Sequence, residues 1–376
     1  MPKAVFLYSE EFLRYDYGLT HPLKMRRLRL VYDLLRAYGV FADPDVALIE
    51  PTPAREEDVL CFHTEEYVSV LRALDEGILP SNPYAYGLGP GDNPIFPGLY
   101  RLALLITGSS LEAARLVEAR ETPVAFSVAG GLHHALPDRA SGFCYLDDPV
   151  IAIMWLLERG RRVAYVDIDA HHGDGVQLAF YDTDRVLTIS FHEDGRFLFP
   201  GTGFVDELGV GAGYGYSVNI PLYPGTDDET YVWAFEEIVP PLLALYQPDV
   251  LVTQLGVDSF ATDPLTDLRL TTHGYTRVVE RLKSLGLPWI ALGGGGYNLS
   301  NVARAWTLAF AIMCGIELPD EIPPAGRDAL RREGLEVHSL RDPKPTTCSD
   351  SRVREQAEKS VRYIQEHVLQ RWAARS

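Results

Sequence analysis

The sequence predicts an α/β fold: a single three-layer αβα domain around a mainly parallel central sheet of about eight strands. Short apolar runs alternate with helix-like stretches along the chain, a pattern that favours parallel βαβ units. The runs are apolar throughout, as expected for strands that are covered on both faces. The composition agrees, because 376 residues with 47% hydrophobic and 23% charged residues suffice to build a large core.

The predicted elements follow one another in a regular order. Seven apolar runs predict strands, at Ala4–Tyr8, Val124–Val128, Arg162–Ile168, Val186–Phe191, Ser217–Ile220, Val250–Leu255 and Trp289–Leu292. Helices are predicted between many of them, at Tyr100–Ala119, Pro149–Arg159, Thr230–Tyr246 and His273–Ser284. This order of elements is typical of one doubly covered sheet.

Two segments interrupt the alternation of strands and helices. Residues 79–98 are dense in Pro, Gly and Tyr and predict a long structured loop, a kind of loop that is often functional. Residues 318–350 are Pro-rich and polar, and they lead into an amphipathic helix near Arg352–Ala373. We therefore predict a main domain over residues 1–315 and a C-terminal extension, residues 316–376, packed on the same domain.

The charge balance limits the partners. Lys and Arg number 34 against 52 Asp and Glu, a net charge of −18, which argues against direct nucleic-acid binding and suits cationic partners. No apolar run approaches the ~20 residues that span a bilayer, so we predict a cytoplasmic protein that does not bind membranes. The four cysteines have no CxxC spacing, which argues against disulfides and a Cys-based zinc site. They are Cys61, Cys144, Cys314 and Cys348.

Ionisable residues cluster where one predicted strand ends, in the sequence VAYVDIDAHHGDG (163–175). Side chains alternate between the two faces of an extended chain, so Asp167, Asp169 and His171 face one side if the strand continues that far. Such a group would form a metal platform or an acid/base cluster. The alternative interpretation is that these residues only cap a helix and form turns. So many ionisable groups behind an apolar strand favour the first interpretation, because buried charges need partners or a metal.

Three other predicted strands also run into polar residues or glycines. The following segments are AGGLHH (129–134), GVD (256–258) and GGGGY (293–297). Ligands of open α/β sheets gather beyond the carboxyl ends of the strands, so these four segments should meet in one crevice. The spacing leaves two questions open. The glycine run fits either close approach to a ligand or a tight turn, and Asp258 fits either a ligand or a helix N-cap.

Six segments, in chain order, resemble the class I-like histone deacetylase family, which includes bacterial acetoin-utilisation (AcuC-type) deacetylases. They are GGLHHA (130–135), SGFCYLDD (141–148), YVDIDAHHGDGV (165–176), FPGTG (199–203), QLGVDS (254–259) and LGGGGYN (292–298). The segments HPLKMRR (21–27) and GDNPIFPG (91–98) add weaker support. The resemblance covers roughly residues 1–310 and implies an arginase/deacetylase-like fold.

The resemblance implies a zinc-dependent amidohydrolase. Asp169, His171 and Asp258 would ligate one divalent metal, Zn²⁺ or alternatively Fe²⁺, and leave positions open for water and the substrate carbonyl.

The same resemblance implies roles for five catalytic residues. His134 would be the general base, and His133 its electrostatic partner and a proton donor to the leaving amine, although the division of proton transfer between them stays open. Asp167 and Asp174 would orient the two imidazoles. Tyr297 would donate its hydroxyl hydrogen to the developing oxyanion.

Substrate-channel and cation-site residues are implied in the same way. Phe143 and Phe199 would grip the lysine stem, Asp92 would accept hydrogen bonds from the peptide backbone at the rim, and Arg27 would lie near an acetate-release cavity. The implied channel residues are Asp92, Gly142, Phe143, Phe199, Leu265 and Arg27. Two structural K⁺ sites would be built from Asp167, Asp169, His171, Ser190 and Phe191 (inner site) and from Phe180, Thr183, Val186 and Tyr216 (outer site).

The sequence also departs from the family pattern. Leu132 stands where class I enzymes usually carry an aromatic residue, so the packing beneath the paired histidines should differ. Pro264 and Ser300 replace arginines of co-repressor-bound enzymes, which argues against an inositol-phosphate site. The run Gly293–Tyr297 differs from the pattern of acetylpolyamine amidohydrolases and favours a protein substrate.

The predicted function is metal-dependent hydrolysis of Nε-acetyl-lysine in proteins, giving lysine and acetate. An acetylated acyl-CoA synthetase is the expected kind of target for an AcuC-type enzyme. Three alternatives stay open: an amidohydrolase acting on acetylpolyamines or other small acyl amines, a binuclear arginase-like ureohydrolase, and a non-catalytic acetyl-lysine binding module. A binding module would need neither His134 nor Tyr297. The oligomeric state is not predicted.

Overall fold

A computed structural model describes residues 1–344 and 350–374. Its centre is one sheet of eight parallel strands in the order β2-β1-β3-β8-β7-β4-β5-β6. The strands are β1 Ala4–Leu7, β2 Val46–Ile49, β3 Val124–Ser127, β4 Val163–Asp167, β5 Val186–Glu193, β6 Ser217–Leu222, β7 Val250–Gln254 and β8 Trp289–Leu292. The predicted single α/β domain with a parallel sheet is confirmed. The seven predicted strands are present, and β2 is an eighth that the sequence did not reveal.

Helices connect the strands and cover the sheet. They are α1 Arg26–Ala37, α2 Glu56–Val59, α3 Glu65–Asp75, α4 Leu99–Glu118, α5 Asp148–Glu158, α6 Asp174–Phe180, α7 Asp228–Tyr246, α8 Thr272–Ser284, α9 Leu299–Cys314, α10 Pro324–Arg332, α11 Ser351–Ile364 and α12 Gln370–Ala373. Side-chain caps fix several N-termini: Asp147 accepts from the Val150 N–H before α5, and Asn298 accepts from the Ser300 N–H before α9. The four helices predicted between the strands are present, and each begins and ends within two residues of its predicted bounds.

Residues along each strand alternate between two cores. In β1, Phe6 packs in a large cluster with Phe126 and Phe310, whereas Val5 and Leu7 belong to a second cluster on the opposite face. This alternation explains why the strand sequences are apolar throughout, since both faces of a parallel sheet are covered by helices.

The four strands with polar ends are neighbours in the middle of the sheet, in the order β3-β8-β7-β4. Their last residues are in register: Ser127 pairs with Leu292, Leu292 with Gln254, and Gln254 with Asp167. The segments that follow these strands therefore emerge side by side at one edge of the sheet.

The C-terminal residues cover the edge strand β6. Helix α11 packs against β6 and α7, and Ser360 Oγ donates to the Pro221 carbonyl at 3.2 Å. Farther along, the ring of Trp372 lies 4.8 Å from that of Tyr216. Covering an edge strand protects its unpaired backbone groups. Helix α10 lies inside the segment expected to be merely Pro-rich and polar, and the boundary at residue 315 remains a prediction.

Two further observations concern the described residues only. Among them, no helix is long and apolar enough to span a membrane. The thiols of Cys61, Cys144 and Cys314 are free, and Cys348 lies outside the described residues.

Candidate active site

Three buried ionisable side chains form a group that could hold a metal ion: Asp169, His171 and Asp258. Their ligand atoms all lie within 4.8 Å of one another, with His171 Nδ1 3.1 Å from Asp169 Oδ1 and 2.9 Å from Asp258 Oδ2. Strand β4 ends at Asp167, so the extended conformation does not persist to His171, and Asp167 lies outside the triad. Two carboxylates and one imidazole are a donor set that suits a catalytic zinc ion with three protein ligands.

Glycines make room for the triad. A Cβ added to Gly295 would lie 2.7 Å from Asp169 Oδ2 and still closer to Asp258 Oδ2, and one added to Gly256 would collide with Asp169. The Gly295 N–H donates to Asp169 Oδ2 at 2.7 Å. Gly294 has a φ of 119°, a conformation that favours glycine. The glycine run therefore forms a turn and also lets the backbone come close to the triad carboxylates, so both interpretations that the spacing left open apply.

The paired histidines are each held by a carboxylate. The Nδ1–H of His133 donates to Asp167 at 2.7 Å, that of His134 donates to Asp174 at 2.7 Å, and the two Nε2 atoms are 3.1 Å apart. Burial alone lowers the pKa of His133, but the carboxylates of Asp167 and Asp169 outweigh it and raise that pKa to about 10. Burial and the charge of His133 lower the pKa of His134. The surroundings thus favour the charged form of His133 and the neutral form of His134.

Tyr297 completes the arrangement. Its ring centroid is 6.4 Å from that of His171 and 5.6 Å from that of Phe143. Burial raises the pKa of Tyr297, so its hydroxyl stays protonated and able to donate a hydrogen bond. Asp263, which the sequence analysis missed, accepts from the Tyr297 and Asn298 backbone N–H groups at 2.8 and 3.3 Å and so fixes the main chain that carries the tyrosine.

A narrow cavity of about 230 Å³ leads to these groups. All the implied channel residues except Arg27 line this cavity. Leu198, which was not predicted, also lines it. It is lined by Asp92, His134, Gly142, Phe143, His171, Leu198, Phe199, Leu265 and Tyr297. Phe143 has a φ of 70°, a conformation that costs free energy in a non-glycine residue and marks a wall whose position the surrounding structure determines.

Arg27 lies apart from the cavity lining, in the protein interior. It is 2% exposed, donates from Nη1 to the Gly296 carbonyl at 3.0 Å, and stacks over the Trp306 ring at 5.1 Å. Among the described residues its Nε has no hydrogen-bond partner. Arg27 therefore contacts the main chain one residue before Tyr297.

The residues of the two implied cation sites lie at opposite ends of β5. Near its carboxyl end, Ser190 is paired in register with Asp167, and Phe191 follows it. At its amino end, Val186 begins the strand, the Thr183 N–H donates to the Phe180 carbonyl at 3.4 Å, and the Tyr216 carbonyl accepts from Thr188 at 2.9 Å. These contacts lie at two separate points along β5, and cation binding stays a prediction.

Two further polar residues support the site from inside the sheet. Gln254 Nε2 donates to Asp169 Oδ2 at 2.6 Å and to the Gly131 carbonyl at 3.3 Å, linking three of the four segments at this edge. The Tyr165 hydroxyl donates to Asp167 Oδ2 at 2.7 Å. Both residues could have been found, since each is a polar side chain within an otherwise apolar strand, and Tyr165 shares a face with Asp167.

A second missed network holds the segment that follows Phe199. A hydrogen bond of 2.9 Å joins His172 Nδ1 and Thr202 Oγ1, and His192 Nε2–H donates to the Gly203 carbonyl at 2.9 Å. The Gly203 N–H in turn donates to Glu207 at 3.2 Å. Scattered contacts of this kind leave no periodic signal in the sequence.

A metal-capable triad, two carboxylate-held imidazoles and a tyrosine at the carboxyl edge of a parallel sheet have the composition of a hydrolytic metal site. The profile of the histone deacetylase domain matches residues 21–313. Histone deacetylase 1 of Homo sapiens is 41% identical over 327 residues, which cover 85% of this chain and 66% of that protein. The acetoin utilization protein AcuC of Bacillus subtilis (strain 168) is 41% identical over 332 residues, 86% of this chain and 85% of that protein.

The fold comparison agrees. The crystal structure of an HDAC homolog from Aquifex aeolicus superposes with a TM-score of 0.89 at 32% identity and covers 96% of this chain and 100% of that one. The chain therefore belongs to the histone deacetylase family. The resemblance drawn from the six sequence segments is confirmed. Since the chain spans slightly under two thirds of the human relative, its own substrates are a matter of proposal.

Proposed function

We propose that this protein hydrolyses Nε-acetyl-lysine in proteins or peptides to lysine and acetate, as a zinc-dependent amidohydrolase. One observation carries the proposal: a single small cavity is lined both by the aromatic rings of Phe143 and Phe199 and by the polar groups of His134, His171 and Tyr297. A cavity of about 230 Å³ accepts one extended side chain rather than a folded segment. An aliphatic lysine stem suits aromatic walls, and its acyl end would lie among polar groups.

The metal would be held by Asp169, His171 and Asp258. Zn²⁺ suits this donor set, with Fe²⁺ as the alternative. When bound, such an ion polarises the acyl carbonyl and acidifies a water ligand. We also propose K⁺, in a structural role, at the two groups of residues along β5.

The two histidines would divide the proton transfers. His134 donates its Nδ1–H to Asp174, so its Nε2 is the atom that would take a proton from the attacking water, once it no longer accepts from His133 Nε2 at 3.1 Å. The carboxylates of Asp167 and Asp169 favour the charged form of His133, which would stabilise the developing negative charge and give its Nε2 proton to the leaving amine. The Tyr297 hydroxyl would donate to the oxyanion as it forms.

The substrate would be an acetylated protein or peptide whose backbone donates to Asp92 at the rim. The similarity to AcuC adds a role in acetoin utilisation and an acetylated acyl-CoA synthetase as a candidate target. The cytoplasmic location and the place of Arg27 in acetate release stay predictions. Membership of the histone deacetylase family argues against the ureohydrolase alternative.

The test is acetate release from an acetyl-lysine peptide by the zinc-loaded protein and by Tyr297→Phe. Loss of one oxyanion donor should lower kcat by about 100-fold to 1,000-fold while metal content stays unchanged. Tyr214→Phe, the same change at an exposed tyrosine outside the cavity, is the matched control and should keep full activity.

The alternatives predict other results. Acetate release from acetylated polyamines but not from the peptide would identify small acyl amines as the substrates. Peptide binding that is equal in the wild type and Tyr297→Phe, without turnover in either, would identify a binding module and refute the proposal.

A further inference from the structure

His21, in the segment HPLKMRR, joins the rim of the cavity to its wall. Its Nε2 lies 3.1 Å from the backbone carbonyl oxygen of Asp92, and its ring centroid lies 4.5 Å from that of Phe143, edge to face. The side chain of this histidine is almost entirely buried, with 6% of its surface exposed. His21 belongs neither to the cavity lining nor to the metal-capable triad.

The hydrogen bonds of His21 define its tautomer. The Leu23 N–H donates to His21 Nδ1 at 3.1 Å, so Nδ1 must be an acceptor and Nε2 must carry the hydrogen that it donates to Asp92. Burial lowers the pKa of His21, which keeps the ring neutral and this arrangement intact. The ring therefore has one donor and one acceptor, each with its own partner.

The turn that carries His21 is itself well fixed. The His21 N–H donates to the Gly18 carbonyl at 3.2 Å, and Lys24 Nζ donates to the carbonyls of Gly18 and Leu19 at 2.8 and 2.7 Å. By contrast, Asp92 is exposed, on a long loop between α3 and α4. One of the contacts between this fixed turn and the exposed rim segment is thus made by a buried imidazole.

We propose that His21 is a positioning residue for peptide recognition: it holds the main chain at Asp92, so that the Asp92 carboxylate keeps a fixed position at the rim of the channel. This inference rests on the proposed function, in which the Asp92 carboxylate accepts hydrogen bonds from the peptide backbone. His21 touches neither the substrate nor the metal-capable triad, so it acts on substrate affinity and not on the hydrolytic step.

Two isosteric variants separate the two hydrogen bonds of the ring. His21→Gln places an amide N–H near the position of Nε2 and can keep the bond to Asp92, whereas His21→Asn places its amide oxygen near Nδ1 and can keep only the bond from Leu23. For an acetyl-lysine peptide, His21→Asn should raise KM about fivefold to tenfold with kcat within about twofold of the wild type. His21→Gln should stay within about twofold in both constants.

Two controls locate the effect at Asp92. Acetyl-lysine amide without flanking residues offers little backbone to Asp92, so both variants should hydrolyse it like the wild type. In an Asp92→Ala background, the effect of His21→Asn on peptide KM should largely disappear, because the carboxylate through which His21 acts is gone. The proposal would be overturned if His21→Gln and His21→Asn raised the peptide KM equally, or if the effects of His21→Asn and Asp92→Ala on that KM were fully additive.

Hydrogen exchange tests the positioning independently of turnover. The backbone amides of Leu88 and Gly89, which donate to the carbonyls of Pro83 and Asn93, should exchange about tenfold faster in His21→Asn than in the wild type and at nearly the wild-type rate in His21→Gln. Absence of peptide turnover by the wild type would defeat the proposed function alone, since exchange still reports on His21. Unchanged exchange of these two amides in His21→Asn would refute the positioning role, whatever the substrate.

Discussion

Replacing Gly295 by alanine should damage the metal-capable triad directly. The φ of Gly295 is not in the left-handed region, so alanine can adopt its backbone conformation and the effect is steric. The added Cβ would lie 2.7 Å from Asp169 Oδ2 and even closer to Asp258 Oδ2, whereas real Cβ atoms almost never come within 3.0 Å of another heavy atom. Both atoms belong to carboxylates that we expect to bind the metal.

The size of the effect follows from these distances. To restore ordinary contact at 3.4 Å, Asp169 Oδ2 would have to retreat by about 0.7 Å, and Asp258 Oδ2 by more. Protein–metal distances vary by only ~0.2 Å in well-formed sites, so at least one ligand would be displaced. We expect zinc affinity to fall by about 100-fold, which corresponds to about 2.8 kcal/mol.

The assay is competition for Zn²⁺ between the protein and a chromophoric chelator. The control is Gly326→Ala, another buried glycine, whose Cβ would meet Ile322 Cγ2 and Leu34 Cδ2 at 2.9 Å. Leu34 lies on α1 and Ile322 precedes α10, and neither belongs to the triad or the cavity lining, so the control should lose some stability and keep its zinc affinity. Wild-type affinity in Gly295→Ala would refute the assignment of Asp169 and Asp258 as ligands.

Two further predictions concern Asp174 and His63. Asp174→Asn should lower kcat about tenfold to 100-fold at unchanged zinc content, because an amide orients the His134 ring less well and no longer stabilises its charged form. Steady-state rates and metal analysis check this prediction, and an unchanged kcat would contradict it. Burial lowers the pKa of His63 to about 4, against about 6.5 in the unfolded chain. The contribution of this neutral histidine to the free energy of unfolding is therefore complete above about pH 6.5, and about 3 kcal/mol of it is lost as the pH falls towards 4. Urea unfolding at pH 7 and pH 5 should therefore show a smaller pH dependence in His63→Gln, and equal dependence would count against this account.

The strands that were predicted and the one that was missed differ in burial. The central strands, such as Val163–Asp167, are fully buried, so their sequences are apolar throughout and easy to recognise. Strand β2, Val46–Ile49, lies at the edge of the sheet with its residues only half-buried or exposed. Its sequence, VALI, is nevertheless as apolar as those of the predicted strands, so this strand was overlooked although a local signal was present. Its pairing with β1 depends on the whole fold.

The sequence located the candidate site because parallel strands present their carboxyl ends at one edge. It did not give the side-chain pairings, however. Asp167 and Asp169 are only two residues apart, yet the first carboxylate binds His133 and the second faces His171, since the strand ends between them. Supporting residues such as Asp263 are also invisible to local patterns, because what they bind is backbone from a distant part of the chain.

The two carboxylates of the triad are each held by donors outside it. Asp169 Oδ2 accepts from the Gly295 N–H and from Gln254 Nε2, while Asp258 Oδ1 accepts from the Ala170 N–H. The remaining oxygens, Asp169 Oδ1 and Asp258 Oδ2, are those that face His171 Nδ1. Neutral donors thus fix each carboxylate without neutralising its charge, which leaves the site able to bind a cation. The donors come from the ends of β4, β7 and β8, so the register of three neighbouring strands sets the spacing of the ligands.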